Sequence, residues 1–276
     1  MIKVLCSTGA LITRYNGRDP RLLHKLISRI ESDGFEFMIY PSWDEKLPEV
    51  VGTMRRLIED DGAFIPVIHM DKRIGELLSE GGEANVLEAR SRYSRCCDIA
   101  CELGAKLLVL HLWGGPASDH HIDRNIAELP GFMEEAGSKG LELTVENVIC
   151  GGSTPLAHIR RIMDELPGAR FTIDTKMAEF HRELPETLAE EALWQGRVSH
   201  LHVNDYAGGY RDFTDLRVRH IGEGHVDFTP FYSRVKQSGY AGFATVESTS
   251  VLPDGTVDFP RLNNSLRKVK EGLNGE

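Results

Sequence analysis

Short apolar runs alternate with longer amphipathic segments along the whole chain. "IKVLCS" near the N-terminus precedes "DPRLLHKLISRIESDG", in which apolar residues recur at helical spacing between an Asp-Pro start and a glycine stop. The same pairing follows in "EFMIYP" with "LPEVVGTMRRLIEDDG", "FIPVIHM" with a helix through "EARSRYSRCCDIACELGA", and "KLLVLHL" with a helix through "RNIAELPGFMEEAGSKG". Four more units complete the chain: "LELTVENV" with "TPLAHIRRIMDELPG", "RFTIDTK" with "LPETLAEEALWQG", "VSHLHVND" with "FTPFYSRVKQSG", and "FATVEST" with "FPRLNNSLRKVKEG". Strands alternating with helices pair in parallel through crossovers, and eight such units fit a closed (β/α)8 TIM barrel of the α/β class. An open doubly wound sheet is the competing architecture, but "CSTGALITRYNG" after the first strand lacks its Gly-x-Gly-x-x-Gly turn. No linker or composition shift divides the chain, so residues 1–276 are expected to form a single barrel domain.

Four of the apolar runs end on a residue that breaks the pattern: Glu146 in "LTVENV", Asp174 in "FTIDTK", His202 in "VSHLHVND" and Glu247 in "FATVEST". A buried charge without a partner costs several kcal/mol, so a strand carries one inward only with compensation. Each of the four closes one predicted strand, from the fifth to the eighth, at the end where barrel active sites are built. Neighbouring strands lie about 4.7–4.9 Å apart, which lets such side chains converge. Three carboxylates and an imidazole suit one divalent metal ion, Mn, Mg, Co or Zn. The competing reading pairs Glu146 with Lys176 or an arginine, makes Asp174 a helix cap, and leaves His202 as a hydrogen-bonded core histidine.

The segments "TVENV", "FTIDT", "HLHVND" and above all "HIGEGHVDFTPFYSRVKQSGYAGFATVEST" resemble the xylose-isomerase-like TIM barrels. That family includes sugar-phosphate isomerases and epimerases, ketose 3-epimerases and apurinic endonucleases. The resemblance implies that Glu146, Asp174, His202 and Glu247 are the metal ligands and that Glu146 and Glu247 form the acid/base pair. Two places depart from the family. Met177 in "DTKM" stands where a histidine is usual, and the end of "FEFMIYP" offers Ile39 where a glutamate is usual. Either Lys176 or His181 stands in for the missing histidine, or the substrate differs from the family's. Leu216 and Val218 occupy the places of the Asp-x-His pair that holds further zinc ions in the endonucleases, which weakens the DNA-repair reading.

The expected activity is a metal-dependent isomerase or epimerase acting on a small polyhydroxy carbonyl compound: a sugar, a sugar phosphate or a keto-polyol. The route is a metal-stabilised enediolate, with one glutamate removing a proton and the other returning it. An inosose-type dehydratase is the nearest variant, and phosphodiester cleavage at abasic DNA the alternative from another class. His69 and His111 end the third and fourth predicted strands and face the same mouth, as substrate-hydroxyl partners. Trp113 is a candidate apolar wall. Arg211, in the long loop "DYAGGYRDFTDLRVRH", is a candidate anion binder.

Composition narrows the partners. The 276 residues carry a net charge of −10, which argues against nucleic acid as a partner, since a phosphate backbone demands a positive face. No apolar run reaches the roughly 18 residues of a membrane span, and "MIKVLCSTGAL" is not a signal peptide. Five cysteines, an odd number, fit a reducing cytoplasm better than a disulfide framework. Homo-oligomers are common among soluble enzymes, and one is possible here.

Overall fold

In a computed structural model that describes residues 1–114 and 118–275, the apolar runs become eight strands. They are Lys3–Ser7 (β1), Phe35–Met38 (β2), Val67–His69 (β3), Leu107–Leu110 (β4), Glu142–Glu146 (β5), Arg170–Asp174 (β6), Val198–His202 (β7) and Phe243–Val246 (β8). Every neighbouring pair is parallel, and β8 pairs with β1 in the register Lys3 to Phe243, which closes the barrel. The expected (β/α)8 architecture is therefore observed.

Helices cover the outside. Leu47–Asp61, Glu83–Leu103, Ile122–Ser138, Pro155–Glu165, Phe228–Gln237 and Phe259–Asn274 fall where the helical spacing places them. The first unit differs. Between β1 and β2 a four-residue α turn, Leu23–Leu26, is flanked by the 3-10 turns Pro20–Leu22 and Ile27–Arg29. Only Leu23 of these residues is buried, so packing does little to hold a continuous helix together. Two further helices, Arg73–Glu80 and Thr175–Phe180, lie outside the expected set. Cys96 and Cys97 pack into the core whereas Cys101 is exposed, and all five cysteines are free thiols. No helix among the described residues is long and apolar enough to cross a membrane.

The barrel interior is graded. Leu5, Val67, Leu107 and Val109, with Phe243 beside them, form an apolar cluster apart from the main core. Beside it, with Thr245 in register with Leu5 and Thr144 with Val109, Thr144, Thr172, His200 and Thr245 stand two positions before Glu146, Asp174, His202 and Glu247, and so share their inward side. All four are fully buried, and the Thr144 and Thr172 hydroxyls bond each other at 2.7 Å. This polar layer replaces the branched aliphatic filling usual at that level of a barrel.

The end of β4 is fixed by a close approach of backbones. A Cβ on Gly75, in the helix Arg73–Glu80, would lie 2.3 Å from the His111 carbonyl oxygen, which only glycine avoids. Asn125 bridges the same two segments, donating to the carbonyls of Gly75 at 2.9 Å and Leu112 at 2.6 Å. Gly75→Ala is expected to force these segments apart and lower the thermal midpoint by roughly 5 °C or more, by analogy with overpacked cores. Calorimetry of the two proteins checks this.

Candidate active site at the barrel mouth

Glu146, Asp174 and His202 are the last residues of β5, β6 and β7, and Glu247 follows β8 directly. Each offers one ligand-type atom, and these four atoms all lie within 4.8 Å of one another. His202 is central: its Nδ1 is 3.0 Å from Glu146 Oε1, 3.4 Å from Glu247 Oε2 and 3.9 Å from Asp174 Oδ2. Strand parity turns all four inward; Asp174 and His202 are register partners, while Glu146 pairs with Thr172, and Thr245, two residues before Glu247, pairs with His202.

Two asparagines absent from the sequence-based candidates hold this cluster. Asn204 Nδ2 donates to both Asp174 Oδ2, at 2.7 Å, and Glu247 Oε2, at 2.8 Å, while its Oδ1 accepts the Glu247 amide. Asn147 exchanges two hydrogen bonds with the Asp174 backbone. Asp174 Oδ1 also accepts the Met177 amide at 2.9 Å, capping the helix Thr175–Phe180. Capping and membership of the cluster, rival readings in the sequence, are both served by this one carboxylate.

Glu36, in the middle of β2, is a third missing residue. It is fully buried, and its Oε2 accepts from Thr245 Oγ1 at 2.7 Å and His200 Nε2 at 2.8 Å. His202 Nε2 lies 3.1 Å from its Oε1, so in the neutral ring, the form that binds a cation, the proton points at Glu36 and the Nδ1 lone pair faces the cluster. The strand does end near Ile39 without a glutamate, as the sequence indicates; the carboxylate enters three residues earlier. The clue was present in "FEFM", where an acid sits between two buried phenylalanines, as Glu146 sits between valines.

Burial and mutual repulsion set the protonation. Burial opposes ionisation of Glu36 and Glu146, yet the charge on His202, with histidine hydrogen bonds, holds both well below the usual carboxylate range. His202 is raised well above an ordinary histidine: burial works against its charge, but Glu247, Glu36 and Glu146 outweigh it. Asp174 is pushed up to about 7 by burial and by the charges of Glu146 and Glu247. The charge on His202 thus offsets the facing carboxylates, and a proton on Asp174 removes one further negative charge from the cluster.

His69 and His111 do reach this site. Their Nε2 atoms lie 3.4 Å and 2.7 Å from Glu146 Oε2. Neither contact has hydrogen-bond geometry, and Oε2 remains a buried acceptor without a donor. The other three candidates lie elsewhere. Trp113 is fully buried, its indole N–H donating to the Val148 carbonyl at 3.0 Å and its ring edge-on to His158. The Arg211 guanidinium is engaged with the carbonyls of Gly151 and Cys150. Lys176 is buried, close enough to Asp174 to act on its charge, but it does not line the cavity and forms no ion pair among the described residues. His181 is turned away and accepts the Cys150 amide at 3.0 Å. Above the cluster opens a cavity of about 380 Å³ lined by Glu146, Glu247, His69, His111 and Met177 on the barrel side.

The donor set fits a divalent cation on three counts: three converging carboxylates, an imidazole nitrogen oriented by Glu36, and an acceptor at Glu146 Oε2 that the protein leaves unsatisfied. Fold and cluster together define a (β/α)8 barrel with a carboxylate–histidine centre at the C-terminal mouth. The chain belongs to the xylose isomerase-like TIM barrel family, whose sequence pattern matches residues 25–272. It is 28% identical over 191 residues to the L-ribulose 3-epimerase of Methylomonas sp. (strain DH-1), an overlap of 66% of this chain and 57% of that protein. The chain thus spans little more than half the length of this curated relative. Among solved structures, a D-tagatose 3-epimerase-like protein superposes with a TM-score of 0.75 at 19% identity, covering 99% of this chain and 97% of the other. The IOLI protein, crystallised with a zinc atom, superposes with a TM-score of 0.77 at 14% identity, covering 99% of both chains.

The raised pKa of Asp174 has a measurable sign. The folded protein keeps a proton that the unfolded chain releases near the ordinary value of 3.8, so the stability it confers is lost as pH rises toward about 7. Asp174→Asn removes this loss. In chelator-treated protein the variant is expected to gain stability over the parent as pH goes from about 5 to about 7, by on the order of 2 kcal/mol. Paired thermal melts across that window test it; a difference independent of pH contradicts the assignment.

Proposed function

We propose that the protein is a divalent-metal-dependent epimerase of a ketose or a related polyhydroxy carbonyl compound. The observation that carries this reading is that Glu146 and Glu247, two carboxylates of one ligand cluster, line a single cavity open to a small molecule. A ion held by Glu146, Asp174, His202 and Glu247 supplies a Lewis acid for the substrate carbonyl and its neighbouring hydroxyl, which makes the intervening C–H acidic. Glu146 and Glu247 are assigned to moving that proton, one removing it and the other delivering one to the opposite face so that the carbon inverts. His69 and His111, which line the same cavity, are assigned to substrate hydroxyls. Asn204 and Glu36 are positioning residues: the first fixes Asp174 and Glu247, the second fixes the tautomer and ring of His202. The names of the relatives, an L-ribulose 3-epimerase and a D-tagatose 3-epimerase-like protein, favour inversion at one carbon over transfer of the proton to the next.

The test combines metal analysis with proton exchange. Protein purified without added metal, then incubated with Mn²⁺, is expected to hold one ion at the cluster and to exchange a ketose C–H with solvent deuterium. Glu146→Gln and Glu247→Gln should each lower turnover by about 10³-fold or more while the fold persists. Near-normal turnover in both variants, or no metal uptake at all, would overturn the proposal.

Glu36 gives a separate readout. A glutamine there cannot accept from His200, Thr245 and His202 at once, so Glu36→Gln should weaken Mn²⁺ affinity by about 10- to 100-fold. Isothermal titration of the chelator-treated variant measures this without any substrate.

A further inference from the structure

Part of the cavity wall is built by the first units of the barrel, and one of its side chains is Arg18. The same guanidinium lines the cavity above Glu146 and Glu247 and two adjoining clefts, of about 750 Å³ and about 480 Å³. It occupies this junction because Gly17 and Arg18 take positive φ in succession, at 72° and 49°. Glycine adopts that conformation freely and arginine does not, so the turn carries strain on account of a side chain. The arrangement is firmly held. The Arg18 amide donates to the Thr13 carbonyl at 2.8 Å, and its carbonyl accepts the Trp43 indole N–H at 3.2 Å. The guanidinium lies 4.5 Å over the Tyr40 ring, with Nη1 donating to Ser42 Oγ at 3.1 Å.

What Arg18 lacks is an anion. Among the described residues no carboxylate lies within ion-pair distance of it, and its buried Nε has no hydrogen-bond partner. Lys72 in the same cavity, Lys46 in the larger cleft, and Arg14 and Arg217 in the smaller one are also without ion pairs. The carboxylates of the larger cleft are Asp19, which is committed to Arg21 at 2.8 Å, and Glu49, and the smaller cleft has none. In a chain of net charge −10, the two clefts that adjoin the cavity thus carry a local excess of positive charge.

We propose that Arg18 anchors an anion subsite, and that the substrate is a ketose bearing a phosphate or carboxylate group on the carbons remote from the reacting pair. This rests on the epimerase reading, and it moves the anion site from Arg211, whose guanidinium is spent on backbone carbonyls, to the loop after β1. Arg18 and Lys72 receive the anion while the carbonyl end lies against Glu146 and Glu247 in the same cavity.

The test compares kcat/KM of the Mn²⁺-loaded protein for a neutral ketose, its terminal phosphate ester and its terminal carboxylate analogue. The parent should prefer one anionic form by roughly 10- to 100-fold, as a charge-assisted bond allows, and which form wins identifies the group. Arg18→Met should bring that ratio close to one, and Arg18→Lys should restore part of it. Equal rates on the three substrates, or a preference that survives Arg18→Met, would overturn the subsite. Should no sugar be turned over, the epimerase reading fails, and titration with inorganic phosphate then decides the subsite alone. Binding by the parent at least tenfold tighter than by Arg18→Met supports it, whereas equal or absent binding refutes it.

Discussion

Four carboxylates share the upper interior of this barrel, Glu36, Glu146, Asp174 and Glu247, and the rest of the site follows from the need to compensate them. In so enclosed a volume their repulsion is screened little by water, and without positive charge the mouth would not close as it does. His202 stands between them, one ring nitrogen toward Glu36 and the other toward the remaining three. The threonine and histidine layer beneath is the price of that choice: an acid at Glu36 demands Thr245 and His200, where an ordinary barrel would place aliphatic side chains.

The same constraint links the site to the backbone. Asp174 begins a helix, accepts from Asn204 and faces His202 with one carboxylate, so its geometry is determined by the fold before any ligand arrives. Asn147 and Asn204 each follow closely on a cluster residue, and each ties its own strand to the next element round the barrel. Preorganisation of this kind places the chemical groups on rigid strands and leaves the loops free for recognition.

Much of this was legible in the sequence because strand and helix periods differ and because the barrel repeats one unit. The strand ends bearing Glu146, Asp174, His202 and Glu247 were found for the same reason: an acid or histidine at the end of an apolar run is conspicuous. Glu36 escaped because attention to strand ends passes over an acid in mid-strand, although its phenylalanine neighbours marked it. Trp113 and Arg211 were placed by chain position, but whether a side chain after a strand enters the mouth or packs behind it depends on loop paths that periodicity does not encode. Arg18 was invisible for a related reason, since nothing in "YNGRDP" announces a left-handed backbone at an arginine. The helix expected over residues 19–34 failed on burial, which a one-dimensional pattern overstates when few of its apolar positions find a core.

The cluster comes from β5 to β8, with Glu36 as support, whereas Arg18, Tyr40, Ser42 and Lys72 belong to the loops of the first three units. A barrel divided in this way can diversify without risk to its chemistry. Exchange of the early loops alters the wall of the cavity, while the later strands keep the carboxylate–histidine cluster in place. Each half of such a chain then answers to its own selective pressure.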